Sequence, residues 1–165
     1  MFKIKIAVIS DIHGNIVALD EIVKDAILNN VDKYVISGDL VNEIPCGNEI
    51  INKLKEINSL AIKGNKELYL LEYEECKYNW NNLQFQNAIF MYEELSEENK
   101  EYIRNLPTEI IINIEGVKIK IVHGSPESVI ELVHKEDYDK IDKYTKDLEE
   151  DLLILRAYSP NNMAM

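Results

Sequence analysis

The sequence is most informative near its start, where residues 3–15 read KIKIAVISDIHGN. Lys and Ile alternate at first, and the run then becomes continuously apolar up to Ile9, which is typical of a strand entering a buried sheet. The next six residues are mostly polar and contain a glycine, which indicates a loop. We therefore predict a strand over residues 3–9 whose following loop carries Asp11 and His13.

The order of strand, polar loop and helix then recurs along the chain. Short apolar runs at 34–36 and 60–62 predict a second and a third strand. Apolar residues at helical spacing predict one helix that starts near residue 16 and ends at Asn29, and another over roughly 46–57. This repetition is typical of a βαβ architecture with parallel strands.

The second half of the chain predicts a helical segment followed by a hairpin. Residues 67–106 are expected to be helical up to Pro107, and a further helix is expected over 137–149. The β-rich runs 109–114 and 117–122 flank a Glu-Gly pair, and a last apolar run covers 152–155. Because no linker, internal repeat or low-complexity tract interrupts this pattern, we expect residues 1–165 to form one domain.

Composition excludes several classes of protein. The chain has 165 residues, of which 46% are hydrophobic, so a packed core is expected. Its 18 Lys and Arg against 30 Asp and Glu give a net charge of −12, which argues against stable binding of nucleic acid. No apolar run reaches the roughly 18 residues of a membrane span. Cys46 and Cys76 are too few for a disulfide scaffold, which favours a reducing, cytoplasmic location.

Four polar clusters follow predicted strands, at residues 11–15, 38–39, 64–65 and 123–124. Ligands of open α/β sheets bind beyond the carboxyl ends of the strands, so these clusters are expected to share one cleft. Each cluster alone is also typical of an ordinary turn or of a hydrogen-bonded histidine. Together they favour a divalent metal site built from carboxylate, imidazole and amide groups. The candidate ligands are Asp11, His13, Asp39, Asn65 and His123.

The four clusters, in this order, resemble the motifs of the calcineurin-like metallophosphoesterases, and most closely those of the small bacterial and archaeal phosphodiesterase branch. The matching blocks are Asp11-x-His13-Gly14-Asn15, Gly38-Asp39-Leu40-Val41, Gly64-Asn65 and Val122-His123-Gly124-Ser125-Pro126. The resemblance runs from residue 4 to about residue 155. It implies an α/β fold, namely the two-sheet α/β/β/α sandwich. It also implies hydrolysis of phosphate mono- or diesters of small molecules by a hydroxide that a dinuclear metal centre activates.

The resemblance also assigns roles to the candidate residues. Asp11 and His13 would bind the first metal, Asp39 would bridge both metals, and Asn65 and His123 would bind the second. Mn²⁺ is the first choice for both ions, with Fe²⁺, Zn²⁺ or Ni²⁺ as alternatives. The implied catalytic residues are Asp39, His123 and Lys66, and the implied substrate-binding residues are Asn15, Asn65 and Lys66.

Lys66 departs from the family pattern, which has a histidine after the Gly-Asn pair. A lysine is a good point charge for a phosphate, but its ordinary pKa of about 10.4 makes it a poor proton donor near neutral pH. Two interpretations stay open at this point. Lys66 either binds substrate or is a solvated residue at the start of a helix.

The C-terminal residues depart further from the pattern. The family has a Gly-His-x-His block after a late apolar strand, whereas this chain continues after Leu155 with RAYSPNNMAM. With suitable codons, these residues shifted by one base encode Gly-His-Thr-His directly after Leu155, which suggests a frameshift. A chain truncated in this way is expected to bind metal less tightly. It would also expose apolar surface, so a homo-oligomer is an open expectation.

Two other functions compete with an esterase. The first is a non-catalytic scaffold or interaction protein on the same fold, which Lys66 and the missing histidines favour. The second is a flavodoxin-like nucleotide binder. The sequence disfavours that second class because it contains neither of the glycine-rich phosphate-loop motifs, G-x-G-x-x-G and G-x-x-x-x-G-K-S/T.

Overall fold

The computed structural model describes residues 3–75 and 86–158. Helices and strands follow one another in a mixed α/β order. They are β1 (Ile6–Ile9), α1 (Ile16–Leu28), β2 (Lys33–Ile36), α2 (Gly47–Glu56), β3 (Leu60–Ala61), α3 (Asn65–Glu75), α4 (Gln86–Glu94), α5 (Glu97–Asn105), β4 (Glu109–Ile114), β5 (Val117–Val122), β6 (Val133–His134), α6 (Tyr138–Lys146), β7 (Leu152–Ile154) and β8 (Ala157–Tyr158).

The first sheet is parallel and has the order β1-β2-β3. Its register pairs Ile9 with Ile36 and Ile36 with Ala61, so the three strands end close together. Each strand is followed by a loop and a helix, as the βαβ pattern predicts. The carboxyl edge of this sheet therefore gathers the loops that contain Asp11, Asp39 and Asn65.

The second sheet has the order β4-β5-β7 and combines both strand directions. Strands β4 and β5 form the predicted hairpin, with Ile114 opposite Val117 and with Glu115 and Gly116 in the turn. Both turn residues have positive φ, 51° and 91°, as a tight two-residue hairpin requires. Strand β7 runs parallel to β5, and a separate small sheet joins β6 to β8.

Strand β2 shows how the layers pack, because neighbouring side chains of this strand face opposite sides. Ile36 packs into a large apolar cluster with α1, α2, α4 and α5, whereas Val35 packs with Ile119 and Ile121 of the second sheet. Val35 and Ile36 are both fully buried, which explains the continuous apolar run. On the far side of the second sheet, Lys120 and Tyr144 of α6 line the same surface pocket. The α/β/β/α sandwich implied by the sequence is thus confirmed.

Several boundaries and faces differ from the sequence prediction. Helix α6 ends at Lys146 rather than at residue 149, and the two-residue strands β6 and β8 were not predicted. Ile22 and Ile27 fit the helical period of α1 but are 42% and 63% exposed. The buried face of α1 is narrower and consists of Leu19, Val23 and Ala26. Part of the middle segment predicted to be helical, residues 76–85, lies outside the described residues.

A search for membrane-spanning helices among the described residues finds none with the length and apolar character that a bilayer crossing requires.

Glu131 links the loop after β5 to helix α6. Hydrogen bonds from Ser125 and Tyr144, together with the ion pair to Lys140 (Oε1–Nζ 2.9 Å), lower the pKa of Glu131 to about 2. A carboxylate with a lowered folded-state pKa stabilises the fold above its ordinary pKa. That stabilisation is lost as the pH falls toward about 2.

We therefore expect Glu131→Gln to lower the urea midpoint at neutral pH. The difference between wild type and variant should shrink as the pH is lowered through the range between about 4.5 and 2. The measurement is urea unfolding at several pH values, with the exposed Glu149→Gln as the matched control. A difference that does not change with pH would contradict this role for Glu131.

Candidate metal centre

The loops after β1 and β2 are held together by backbone hydrogen bonds. The N–H of Asp11 donates to the carbonyl of Gly38 (3.2 Å), and the N–H of His13 donates to the carbonyl of Asp39 (3.0 Å). Gly14 N–H donates to Leu40 in the same manner, at 2.9 Å. These bonds extend the pairing of the strands into the loops, so the side chains of Asp11, His13 and Asp39 emerge next to one another.

Three predicted ligands have left-handed backbone conformations. The φ angles of Asp11, His13 and Asp39 are +57°, +49° and +55°, a region that residues other than glycine seldom adopt. Each such conformation costs free energy, and the costs are concentrated at one edge of the sheet. Gly64 makes this crowding possible, because a Cβ there would lie 2.2 Å from the Oδ1 atom of Asp39. The local backbone is thus shaped around the Asp39 carboxylate.

Asp11, His13 and Asp39 form a group whose ligand atoms all lie within 4.8 Å of one another. The Nε2 atom of His13 is 3.5 Å from Asp11 Oδ1 and 3.8 Å from Asp39 Oδ2. Two carboxylates and one imidazole at this separation form a donor set that suits a first-row divalent ion.

A second group faces the other oxygen of Asp39. The Nε2 atom of His123 lies 3.4 Å from Asp39 Oδ1 and 3.2 Å from the side-chain oxygen of Asn65. His123 Nδ1 lies 2.7 Å from the carbonyl of Ser37, which can only accept a hydrogen bond. When the ring is neutral, Nδ1 therefore carries the proton and Nε2 offers a lone pair toward Asn65 and Asp39.

The donor chemistry of both groups fits the divalent metals that the sequence implies. Asp11, Asp39 and Asn65 present side-chain oxygen atoms to the site, and the neutral histidines add nitrogen lone pairs. Such a concentration of acceptors needs positive charge. All five predicted ligands lie at this one site. Asn15 has a different contact, since its side-chain oxygen caps α1 by accepting a hydrogen bond from the N–H of Ala18 (3.0 Å).

The electrostatic environment keeps the carboxylates ionised. Burial raises the pKa of Asp39, but its contacts with His123 and the N–H of Lys66 outweigh this effect and lower it below its usual value. The pKa of Asp11 is lowered as well, because hydrogen bonds from His13 and Ser10 outweigh the effect of burial. The two aspartates therefore carry negative charge near neutral pH.

Three charged residues lie at the site although the sequence analysis did not predict them there. Glu43, half exposed, pairs with His13 Nδ1 and lies 2.9 Å from Lys66 Nζ. Glu67 is fully buried under the Asp39 loop. Arg156 belongs to the C-terminal residues that depart from the family pattern, and its side chain contacts Asp11 and Asp39. An acid in the first turn of α3 was the only local signal for Glu67, and no local pattern pointed to the other two.

The Glu67 carboxyl group accepts four hydrogen bonds from the backbone. Its Oε2 atom accepts from the N–H groups of Asp39 (3.0 Å) and Gly64 (2.8 Å), and its Oε1 atom accepts from Leu40 (2.8 Å) and Val41 (3.2 Å). Burial and the charge of Asp39 raise the pKa of Glu67, whereas the backbone donors act in the opposite direction. The loops after β2 and β3 are thus fixed to each other through one side chain.

The fold has two sheets, and carboxylate, imidazole and amide groups converge at its strand ends, as in α/β proteins that bind metal ions. Comparison with known proteins identifies the family. The profile of the calcineurin-like phosphoesterase family matches residues 4–164. The chain therefore belongs to the calcineurin-like phosphoesterase family.

The chain is also similar in sequence to an individual protein. The uncharacterized protein MJ0912 of Methanocaldococcus jannaschii is 31% identical over 126 residues, which cover 76% of this chain and 51% of that protein. This chain thus spans about half the length of that relative. The sequence resemblance to the family is confirmed by the profile match.

Solved structures show the same fold. The hypothetical protein PH1004 from Pyrococcus horikoshii OT3 superposes with a TM-score of 0.78 at 23% identity, over 94% of this chain and 69% of that chain. A metallophosphoesterase from Sphaerobacter thermophilus gives a TM-score of 0.76 at 22% identity, over 93% and 60% of the two chains. At these identities the likeness supports the fold.

Glu67→Gln should destabilise the protein by about 2–4 kcal/mol, because the new amide places N–H donors against backbone N–H donors in a buried site. The measurement is urea unfolding at neutral pH. Glu72→Gln is the matched control, since Glu72 lies on the same helix and is exposed. Equal stability of the two variants would show that the four backbone contacts of Glu67 contribute little.

Proposed function

We propose that this chain is a metal-dependent phosphoesterase that hydrolyses small-molecule phosphate mono- or diesters at a centre of two divalent ions. The observation that carries the proposal is the orientation of Asp39. Its Oδ2 atom faces His13 and its Oδ1 atom faces His123, so one carboxylate can serve both groups of ligands. Membership of the phosphoesterase family supports the same reaction class.

In the proposed centre, Asp11, His13 and Asp39 hold one ion, and Asp39, Asn65 and His123 hold the other. Carboxylate, amide and imidazole donors accept several first-row divalent ions, of which Mn²⁺ is our first choice. When bound, such a pair of ions supplies a hydroxide nucleophile and neutralises charge on the phosphate oxygens. The proposal requires no nucleophilic side chain.

The chain's own residues orient these groups. The carbonyl of Ser37 accepts the Nδ1 proton of His123 and thereby directs Nε2 into the site. Glu43 pairs with Nδ1, the other ring nitrogen of His13, and orients that ring in a similar way. The backbone N–H of Lys66 donates to Asp39 Oδ1 at 3.0 Å and limits rotation of the bridging carboxylate.

Lys66 is proposed to bind the substrate phosphate. Its side chain is three-quarters buried at the rim of the site, and its ammonium group pairs with Glu43. A phosphate oxygen would compete with Glu43 for this charge, which assigns Lys66 to binding rather than to proton transfer.

Hydrolysis of an aryl phosphate diester and monoester in excess Mn²⁺ tests the proposal. We expect activity that EDTA abolishes and that Asp39→Asn lowers about a hundredfold or more, since the variant loses a charged ligand shared by both ions. Asp142→Asn, an exposed change on α6, is the control and should leave the rate unchanged. Hydrolysis that survives both EDTA and Asp39→Asn would contradict the proposal.

The role of Lys66 has a separate kinetic test. Lys66→Met should raise KM about tenfold with a much smaller change in kcat, because it removes a contact made equally in the ground state and the transition state. Lys118→Met, at an exposed position of β5, serves as the control. A fall in kcat at unchanged KM would instead assign Lys66 to the chemical step.

A non-catalytic scaffold or interaction protein on the same fold is the second candidate. The observation that favours it is the guanidinium of Arg156, a cation that the chain itself supplies to the ligands. Stoichiometric Mn²⁺ binding without hydrolysis of either ester would support that candidate over the esterase.

A further inference from the structure

Arg156 contacts side chains from three different strand-end loops. Its Nη2 atom lies 2.8 Å from Asp11 Oδ1, and its Nη1 atom lies 3.3 Å from Asp39 Oδ2. The same Nη1 atom is 3.3 Å from His123 Nε2. The guanidinium group therefore faces ligand atoms of both proposed ion positions.

The strand register brings Arg156 to this point. Strand β7 runs parallel to β5, with Ile154 opposite Ile121. Two residues further along each strand, the same register places Arg156 beside His123. After Arg156 the chain pairs with β6, where Ala157 lies opposite Val133. The backbone is thus fixed on both sides of the arginine, and only its side chain is free to leave the site without breaking strand pairing.

A guanidinium group and a divalent ion compete for the same lone pairs. Arginine stays protonated at any ordinary pH and presents N–H donors in a planar fork that suits carboxylates. A divalent ion held by these residues would use the same oxygen lone pairs, such as those of Asp11 Oδ1, at shorter range than a hydrogen bond. Two cations that share Asp11 and Asp39 at such short range also repel each other. Metal binding therefore requires the arginine to withdraw.

We propose that Arg156 is an internal cation of the metal centre, which neutralises Asp11 and Asp39 in the metal-free chain and must be displaced when a divalent ion binds. The proposal rests on the proposed function in one respect, since it takes these residues to be metal ligands. It adds a regulatory element to that site: the side chain of Arg156 sets the concentration of metal at which the centre fills.

Titration calorimetry of the full chain with Mn²⁺, after removal of metal by EDTA, tests this competition. We expect Arg156→Gln to bind Mn²⁺ at least about tenfold more tightly than wild type, which corresponds to about 1.4 kcal/mol. Arg156→Lys keeps the charge but loses the fork, so its affinity should lie between the two. Lys135→Gln removes one exposed positive charge elsewhere and should leave the affinity unchanged.

Thermal unfolding gives a second readout that does not depend on activity. In EDTA, Arg156→Gln should melt at a lower temperature than wild type, because it leaves the Asp11 and Asp39 carboxylates without their cation. Saturating Mn²⁺ should then raise the melting temperature of the variant more than that of wild type. An unchanged melting temperature in EDTA would overturn the proposal.

The remaining outcomes separate this proposal from the proposed function. Equal Mn²⁺ affinity in wild type and Arg156→Gln, with Mn²⁺-dependent hydrolysis in both, overturns the role of Arg156 and leaves the esterase intact. Weaker substrate binding by Arg156→Gln at unchanged Mn²⁺ affinity also overturns it, and would make the arginine a phosphate-binding group. Absence of Mn²⁺ binding in wild type and all variants would refute both proposals.

Discussion

The carboxyl group of Glu67 is the contact on which the geometry of the site depends. It accepts four backbone N–H groups, three from the loop after β2 and one from the loop after β3. Buried N–H groups without partners would be costly, so the two loops can hold their shape only while this carboxyl group lies between them. Asp39 belongs to the first loop, and Asn65 directly follows Gly64 of the second. The carboxylate that we propose to bridge the two ions and one proposed ligand of the second ion are thus positioned by the same group.

This arrangement also explains where the chain tolerates backbone strain. Asp11, His13 and Asp39 all have positive φ, and their loops are held by hydrogen bonds between the Asp11–Gly14 and Gly38–Leu40 segments. A residue in this region persists only if its surroundings determine its conformation. For these three residues, the surroundings are the parallel pairing of β1 with β2 and the backbone N–H groups that donate to Glu67. Three of the non-glycine residues with positive φ thus converge on the site, and others, such as Glu115, lie in turns elsewhere.

The sequence predicted the local parts of this structure well and the long-range parts poorly. The strand that ends at Ile9 and the hairpin around Glu115 were predicted because each depends on neighbouring residues. The family was recognised from local motifs, and the five ligands assigned from those motifs stay a prediction. Glu67 contacts backbone atoms up to 28 residues away, and backbone groups leave no pattern in a sequence. Arg156 lies 117 residues from Asp39, and its approach depends on the register of β7 against β5. Ile27 is exposed although it fits the helical period of α1. Helical periodicity does not predict how wide the buried face of a helix is.

Charge balance connects these features to the proposed chemistry. The chain carries a net charge of −12, yet a phosphate ester is also negative, so attraction to the site must come from local positive charge. Lys66 provides such a charge at the rim, and Glu43 holds it there. Within the site, the fully buried carboxylate of Asp39 lies beside the partly exposed carboxylate of Asp11, and the ionised forms of both favour a nearby cation. The guanidinium group of Arg156 supplies that cation, and in our proposal divalent ions displace it because each carries twice the charge at a shorter distance. Under this proposal, the attraction between Arg156 and the two carboxylates therefore sets how readily the centre accepts a divalent ion.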